Sequence, residues 1–246
     1  MGINAEYVLL LSELRQRGEL KGGRVMELGA QDVSAAQDVV AKLLDREGLG
    51  AEPAPYARDL YSRYGFSSYA SIDQSGYLGS IPLDLNRDVR EQGHTDSYEV
   101  VTNAGTLEHC FDQLSAFRNM HELCRTGGLM IHVMPSQGQV NHAFYNYHPR
   151  FIWELAHANR YEVVSFYFAI DFRPLLFPYS ADAFKQHEDR DIMLYVVLRK
   201  ASATPFAIPT DRIFSDGPLV LESEFRSWIK TTWNNVLGYE VLSGEP

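Results

Sequence analysis

The sequence predicts an α/β protein: an open, mostly parallel sheet with helices on both faces. Two observations predict it. Strand-like runs and helix-like repeats alternate through residue 160, and alternation of this kind builds parallel sheets from crossover units. The last two apolar runs, "YEVVSFYFAI" and "DIMLYVVLRK", adjoin without a convincing helix between them, so the sheet should close with an antiparallel strand at its edge.

Residues 5–17 place Tyr7, Leu10, Leu11 and Leu14 on one stripe, predicting an amphipathic helix as the first element. "RVMEL" reads as a strand. The helix after it should be capped near Asp32 or Ser34 and carries Val39, Val40, Leu43 and Leu44. "REGLGAEPAPYARDLYSRYGF" is punctuated by Pro and Gly and marks an insertion, placed at 48–66, with one short helix. "SSYASID" is the second strand and "IPLDLN" a short third. "SYEVVTNAG" has the continuous apolar character of a buried parallel strand. "CFDQLSAFRNMHELC" is helical, "RTGG" a turn, "LMIHVMP" a strand and "PRFIWELAHANR" a helix, before the two closing strands.

One domain should therefore span residues 1–200, with a polar and aromatic loop at 136–150. A C-terminal extension, 201–246, includes the amphipathic "SEFRSWIKTTWNNVL" and is expected to pack on that domain.

Composition narrows the function. A chain of 246 residues with 45% hydrophobic content can bury a full core. Its formal net charge is -10 and its Lys and Arg are scattered, which argues against a nucleic-acid partner. The run "YVLLL" is too short to span a bilayer, and Glu6 breaks a myristoylation pattern, so no membrane partner is expected. Cys110 and Cys124 sit at opposite ends of one predicted helix, about 21 Å apart if it is continuous. They read as reduced thiols, which predicts a cytoplasmic protein. Oligomeric state is not legible, although a homodimer is compatible with these features. No H-E-x-x-H or Cys pair gives a metal site spacing support, and none is expected.

In an open α/β sheet, ligands sit outside the carboxyl ends of the strands. Here those ends carry Glu27 and Gly29, then Asp73, Asp84, and finally Asn103 and Gly105. A carboxylate after the second strand can accept from both hydroxyls of a ribose, which makes Asp73 the candidate. Gly29 lets the backbone approach a ligand closely. Glu27 would repel a pyrophosphate but welcome an amino group. With no G-x-G-x-x-G, this charge pattern favours a sulfonium nucleoside over a dinucleotide.

With these pieces in order the sequence resembles the class I S-adenosylmethionine-dependent methyltransferases. The resemblance rests on "VMELGAQD", "YASIDQSG", "LDLN" and "YEVVTNAGTLEHCFDQLSAFRNMHELCRTGGLMIHVMP", within residues 22–200. It implies a Rossmann-like seven-stranded sheet whose last strand is antiparallel. It also implies that Glu27, Gly29, Ala30 and Gln31 wrap the methionine part of S-adenosylmethionine and that Asp73 holds the ribose. Asp84 and Leu85 would flank the adenine, while Asn103, Ala104 and Gly105 would line the sulfonium. Two departures stand out. Gln31 replaces a usual glycine, and Asp73 lies farther from Gly29 than the ~20 residues usual for such an acid, leaving Asp59 as an alternative.

The loop after "LMIHVMP" supplies acceptor-side candidates: Asn141, Tyr145, Tyr147 and His148 for binding. His142 and His109 are the candidate proton acceptors, because a general base should titrate near the working pH. The expected activity is methyl transfer to a small molecule, O-directed, such as a sugar or secondary-metabolite intermediate. Alternatives are a non-methylating enzyme that cyclises the same donor, or an inactive scaffold that binds another subunit.

Overall fold

A computed structural model describes residues 2–171, 173, 176–180, 186–187 and 189–210. Its helices are α1 (Ala5–Gln16), α2 (Gln37–Arg46), α3 (Ala57–Arg63), α4 (Gln113–Leu123) and α5 (Pro149–Ala158). Its strands are β1 (Gly23–Leu28), β2 (Phe66–Ile72), β3 (Tyr98–Ala104), β4 (Cys124–Gln137), β5 (Glu162–Ile170), β6 (Phe177–Pro178) and β7 (Ile192–Arg199).

The strands form one seven-stranded sheet in the order β2-β1-β3-β4-β7-β5-β6. β2, β1, β3 and β4 pair in parallel, whereas β7 runs antiparallel to both β4 and β5. The expected antiparallel strand is present, but it is not at the edge. β7 lies between two strands that share a direction and supplies the ladder each lacks. Its residues Ile192–Leu198 are all buried accordingly.

The seven strands are not the seven read from sequence. "IPLDLN" forms no strand; it touches the sheet only through the isolated bridge Ile72↔Ile81. Pro82 comes next and has no N–H to extend a ladder. The seventh strand is β6, two residues paired to Tyr167 and Phe168.

Three helical expectations also shift. α1 is buried without a break from Glu6 to Leu14, so it is not the half-exposed helix its stripe suggested. α2 begins at Gln37, after both expected caps, because residues 32 and 33 are held in bridges to Tyr56 and Ile3. α4 starts only at Gln113, where the Asp112 side chain accepts from the Ser115 amide at 3.0 Å, so Cys110 and Cys124 both lie outside it.

Two apolar layers sandwich the sheet. One packs α1, α2 and α3 on a face that includes Val25, Val100 and Tyr195; the other packs α4 and α5 on Met26, Val101 and Met130. The insertion belongs to the first layer. Tyr61 and Tyr64 hydrogen-bond Tyr7 and Ser12 of α1 at 2.6 and 2.8 Å. Residues 201–210 run along the second layer, where Ala207 exchanges hydrogen bonds with Asn159 and Phe206 packs edge-on against His121. The stretch "SEFRSWIKTTWNNVL" lies outside the described residues.

Candidate functional site

The chain leaves β1 toward β2 on one side and later enters β3 on the other. The crevice between the carboxyl ends of β1 and β3 is thus the switch in strand order, where α/β sheets bind ligands.

The turn after β1 is held by two carboxylates. Glu27 Oε2 accepts from the Gln31 amide at 3.2 Å, and Asp73 Oδ2, at the end of β2, accepts from the Ala30 amide at 3.2 Å. Both expected acids converge on one turn. Gly29 within it has φ +80°, a conformation that side chains disfavour, and a Cβ there would fall 2.1 Å from Thr106 Oγ1. Gln31 stands outside the left-handed region, so glycine is not required at that position. Its amide nitrogen instead donates to Thr106 Oγ1 at 3.1 Å and brackets Gly29.

Glu27 is fully buried, and burial pushes its carboxyl up to about 8, against hydrogen bonds from the Tyr69 hydroxyl and the Gln31 amide. In the unliganded protein at neutral pH it is therefore mostly protonated. Burial thus opposes the negative charge expected from sequence, and a compensating cation would favour it. Glu27 Oε1 has no hydrogen-bond partner.

Asp73 behaves differently. Burial raises its pKa, but the Ser75 hydroxyl and amide and the Ala30 amide outweigh that and hold it below its ordinary value. It stays ionised and half-exposed at the crevice. Asp59, the alternative acid, sits on α3 instead. There it lines a cavity of about 200 Å³ with Gln31, Tyr56, Arg58, Tyr69 and Leu78.

Asp84 turns the chain by accepting from the amide and side chain of Asn86, both at 2.9 Å, while the Leu85 carbonyl accepts from Asn119 at 3.0 Å. Asn86 in turn accepts from the Asp112 amide, fastening this segment beside the start of α4. At the end of β3, Ala104 and Gly105 are buried. Asn103 Oδ1 accepts from the amides of Thr106 and Leu107, both at 3.0 Å, and its Nδ2 is left unpartnered. Asn103 thereby sets a single helical turn, Leu107–His109.

That turn carries the site's second cluster. Glu108 is fully buried, neither of its carboxylate oxygens meets a donor, and burial raises it to about 7. The 136–150 loop folds back onto it, with the Phe144 amide donating to the Glu108 carbonyl at 3.1 Å. This brings His142 Nε2 to 3.9 Å from Glu108 Oε1 and its ring to 5.0 Å from that of His109. Burial, and then His142, lower the His109 pKa, which favours its neutral imidazole.

The other loop residues scatter. Asn141 is exposed with φ +65°. Tyr145 donates to the Phe111 carbonyl at 2.9 Å. Tyr147 is buried against Phe117 and Phe151 and donates to Gln113 at 2.7 Å, which makes it part of the core. His148 caps α5 by accepting from the Arg150 amide.

Sequence reasoning did not single out Thr106, Tyr69 or Glu108. Only Glu108 had a local signal, as the acid of "TLEHC"; the other two act through pairings distant in the chain.

No family model matches this chain, and no curated protein does. Solved structures similar to it include the 1,6-didemethyltoxoflavin-N1-methyltransferase of Burkholderia thailandensis with bound S-adenosylhomocysteine, at 13% identity, TM-score 0.48, covering 79% of this chain and 78% of that one. Another is the N-methyltransferase NodS of Bradyrhizobium japonicum in complex with S-adenosylhomocysteine, at 14% identity, TM-score 0.44, covering 79% and 84%. A third is an O-methyltransferase family protein of Burkholderia thailandensis, at 12% identity, TM-score 0.45, covering 80% and 56%.

Proposed function

We propose that this protein binds S-adenosylmethionine in the crevice between β1 and β3 and methylates an oxygen of a small molecule. The observation that carries the reading is the buried, unpartnered Oε1 of Glu27 beside the Gly29 turn. An unpaired buried polar atom is costly, and a ligand ammonium that takes the place of the proton on Oε1 would complete it. An amino group there would also supply the cation that lets Glu27 ionise. Glycine at position 29 and the polar ends of Gln31 and Thr106 suit the methionine part.

Asp73, ionised and half-exposed, already accepts three hydrogen bonds and keeps one acceptor site, on Oδ2, for a ribose hydroxyl. Asp84 and Leu85 border the adenine in this reading, and Asn103, Ala104 and Gly105 border the sulfonium. The bound donor supplies an already activated methyl group. The chain's task is to hold the acceptor oxygen in line with it, which alone can lower the barrier by roughly 7 kcal/mol or more. Glu108, His109 and His142 manage the acceptor's proton, since His142 Nε2 is unpartnered and the lowered His109 pKa favours a proton-accepting imidazole. Asn141, Tyr145 and His148 border the acceptor, with Tyr147 bracing the loop from the core.

Calorimetric titration with S-adenosylhomocysteine tests the binding half. Micromolar binding is expected, weakened at least about tenfold by Asp73→Ala through loss of the charged hydrogen bonds. Unchanged affinity in that variant would move the ribose to another acid, Asp59 first. Labelled donor and a panel of hydroxyl compounds test transfer, and the mass of the nucleoside product separates methylation from cyclisation. If the Gln31–Thr106 bond instead closes the space over Gly29, the second reading is an inactive scaffold, which a complete lack of nucleoside binding would support.

A further inference from the structure

We infer that Glu108, His109 and His142 form a binding site for one divalent first-row transition cation. Each residue can offer one donor atom, and these atoms all lie within 4.8 Å of one another. Around a cation with bonds of ~2.1 Å, tetrahedral neighbours stand about 3.4 Å apart. The 3.9 Å between His142 Nε2 and Glu108 Oε1 closes to that with a shift of half an ångström or so.

The partners of these groups point to a ligand. Glu108 is fully buried with both carboxylate oxygens unsatisfied, and His142 Nε2 is buried without a partner as well. An unsatisfied Glu108 oxygen and the unsatisfied His142 Nε2, 3.9 Å apart and gathered with a His109 ring nitrogen, have a common remedy in a cation. No lysine or arginine answers this carboxylate among the described ion pairs, where its partner is the His142 imidazole.

The scaffold is built as well as placed. Asn103 pins the turn that carries Glu108 and His109, and Gln113 bonds the carbonyls of Leu107 and Cys110. On the opposite side, His142 comes after two residues held at positive φ, Gln139 and Asn141. The Gln139 amide donates to Asp191 at 3.0 Å. Strained backbone of this kind persists where surrounding contacts overdetermine it, and it concentrates at ligand sites.

Two imidazoles and one carboxylate make a donor set of intermediate softness. It suits zinc, cobalt, nickel or manganese better than magnesium or calcium, which prefer all-oxygen shells. Three protein donors leave coordination positions open toward the exposed His109 side. An acceptor hydroxyl bound there would have its pKa lowered. Its proton would go to solvent, and the new oxygen–methyl bond would form as the sulfonium's carbon–sulfur bond breaks, sulfur keeping the pair. With a cation present the imidazoles are ligands and not bases. This role rests on the proposed function, whereas the binding site does not.

The test titrates untagged, chelator-treated protein with Co²⁺, following visible d–d absorption and equilibrium dialysis, then titrates the same sample with S-adenosylhomocysteine. We expect one Co²⁺ per chain, with affinity reduced at least about tenfold by His142→Ala and by Glu108→Gln. Zinc should displace the cobalt spectrum. The surface-loop variant His142→Ala keeps the test decisive if the buried Glu108→Gln fails to fold. No cobalt bound, or binding indifferent to His142→Ala, overturns the site. Nucleoside binding without cobalt binding would sink the cation and leave the methyltransferase reading standing; cobalt binding without nucleoside binding would do the reverse.

Discussion

Burial keeps the Glu27 carboxyl protonated at neutral pH, and that proton ties the stability of the fold to pH. A group whose pKa is raised on folding binds a proton that the unfolded chain has already lost. Its contribution to stability is complete below the unfolded value near 4.5 and drains away as pH climbs through the folded value of about 8. Glu6 and Glu13, raised to about 7 by burial, act in the same window. His121 and His132, lowered to about 4 and 3 by burial, oppose them below pH 6.5. The Glu27 share is isolated by difference. Thermal unfolding of wild type and Glu27→Gln without ligand should show the wild type losing stability relative to the variant between pH 5 and 8. A constant difference across that range would mean Glu27 is ionised in the fold. The Tyr69 and Gln31 contacts are nearly isosteric in the variant, so the comparison reads the proton.

Among the elements, the turn after β1 is the most constrained. Gly29→Ala would both strain a backbone at φ +80° and drive a Cβ into Thr106. We expect a loss of about 1–3 kcal/mol in denaturant unfolding together with loss of S-adenosylhomocysteine binding. Adding Thr106→Ala should relieve the contact but not the φ, giving partial recovery. Full stability in Gly29→Ala alone would show that the turn relaxes freely. This turn was legible in sequence because a glycine directly after a buried strand marks a sharp bend or a close approach that a side chain would obstruct. So were β3 and β7, whose apolar runs allow no exposed face. β6 was not, because two residues carry no period. "IPLDLN" misled because its alternation resembles a strand while Pro82 withholds the donor a strand needs. The start of α2 was misplaced because bridges to Ile3 and Tyr56, both remote in the chain, hold residues 32 and 33 extended. His109 and His142 were each visible as candidates, but their meeting depends on how the 136–150 loop folds back, which local pattern does not encode. The proposed cation site falls under the same limit, since spacing rules seek ligands close in sequence.

For the molecule as a whole, the sheet is the organising unit and its stability should be graded across it. The central strands are covered by helices on both faces, whereas β2 exposes Ser67 and Ser68 at one edge and β6 contributes two residues at the other. Amide hydrogen exchange should therefore be slowest in β3, β4 and β7 and fastest at the two edges. Protection of β6 equal to that of β7 would contradict this grading. The approach of residues 201–210 to His121 and Asn159 should add protection at the C-terminal end of α4 and of α5.

The position of β7 has a temporal side. Among the described strands it is the last to leave the ribosome, yet it occupies the gap between β4 and β5. Until residue 199 has been synthesised, β5 has no neighbour on its inner flank and the opposite rim of β4 stays open. A nascent chain can assemble its first four strands in order, but it must hold that gap unfilled while the rest is translated. Premature termination inside β7 would leave two sticky rims facing each other, and such products should be captured by chaperones or aggregate rather than accumulate as soluble fragments.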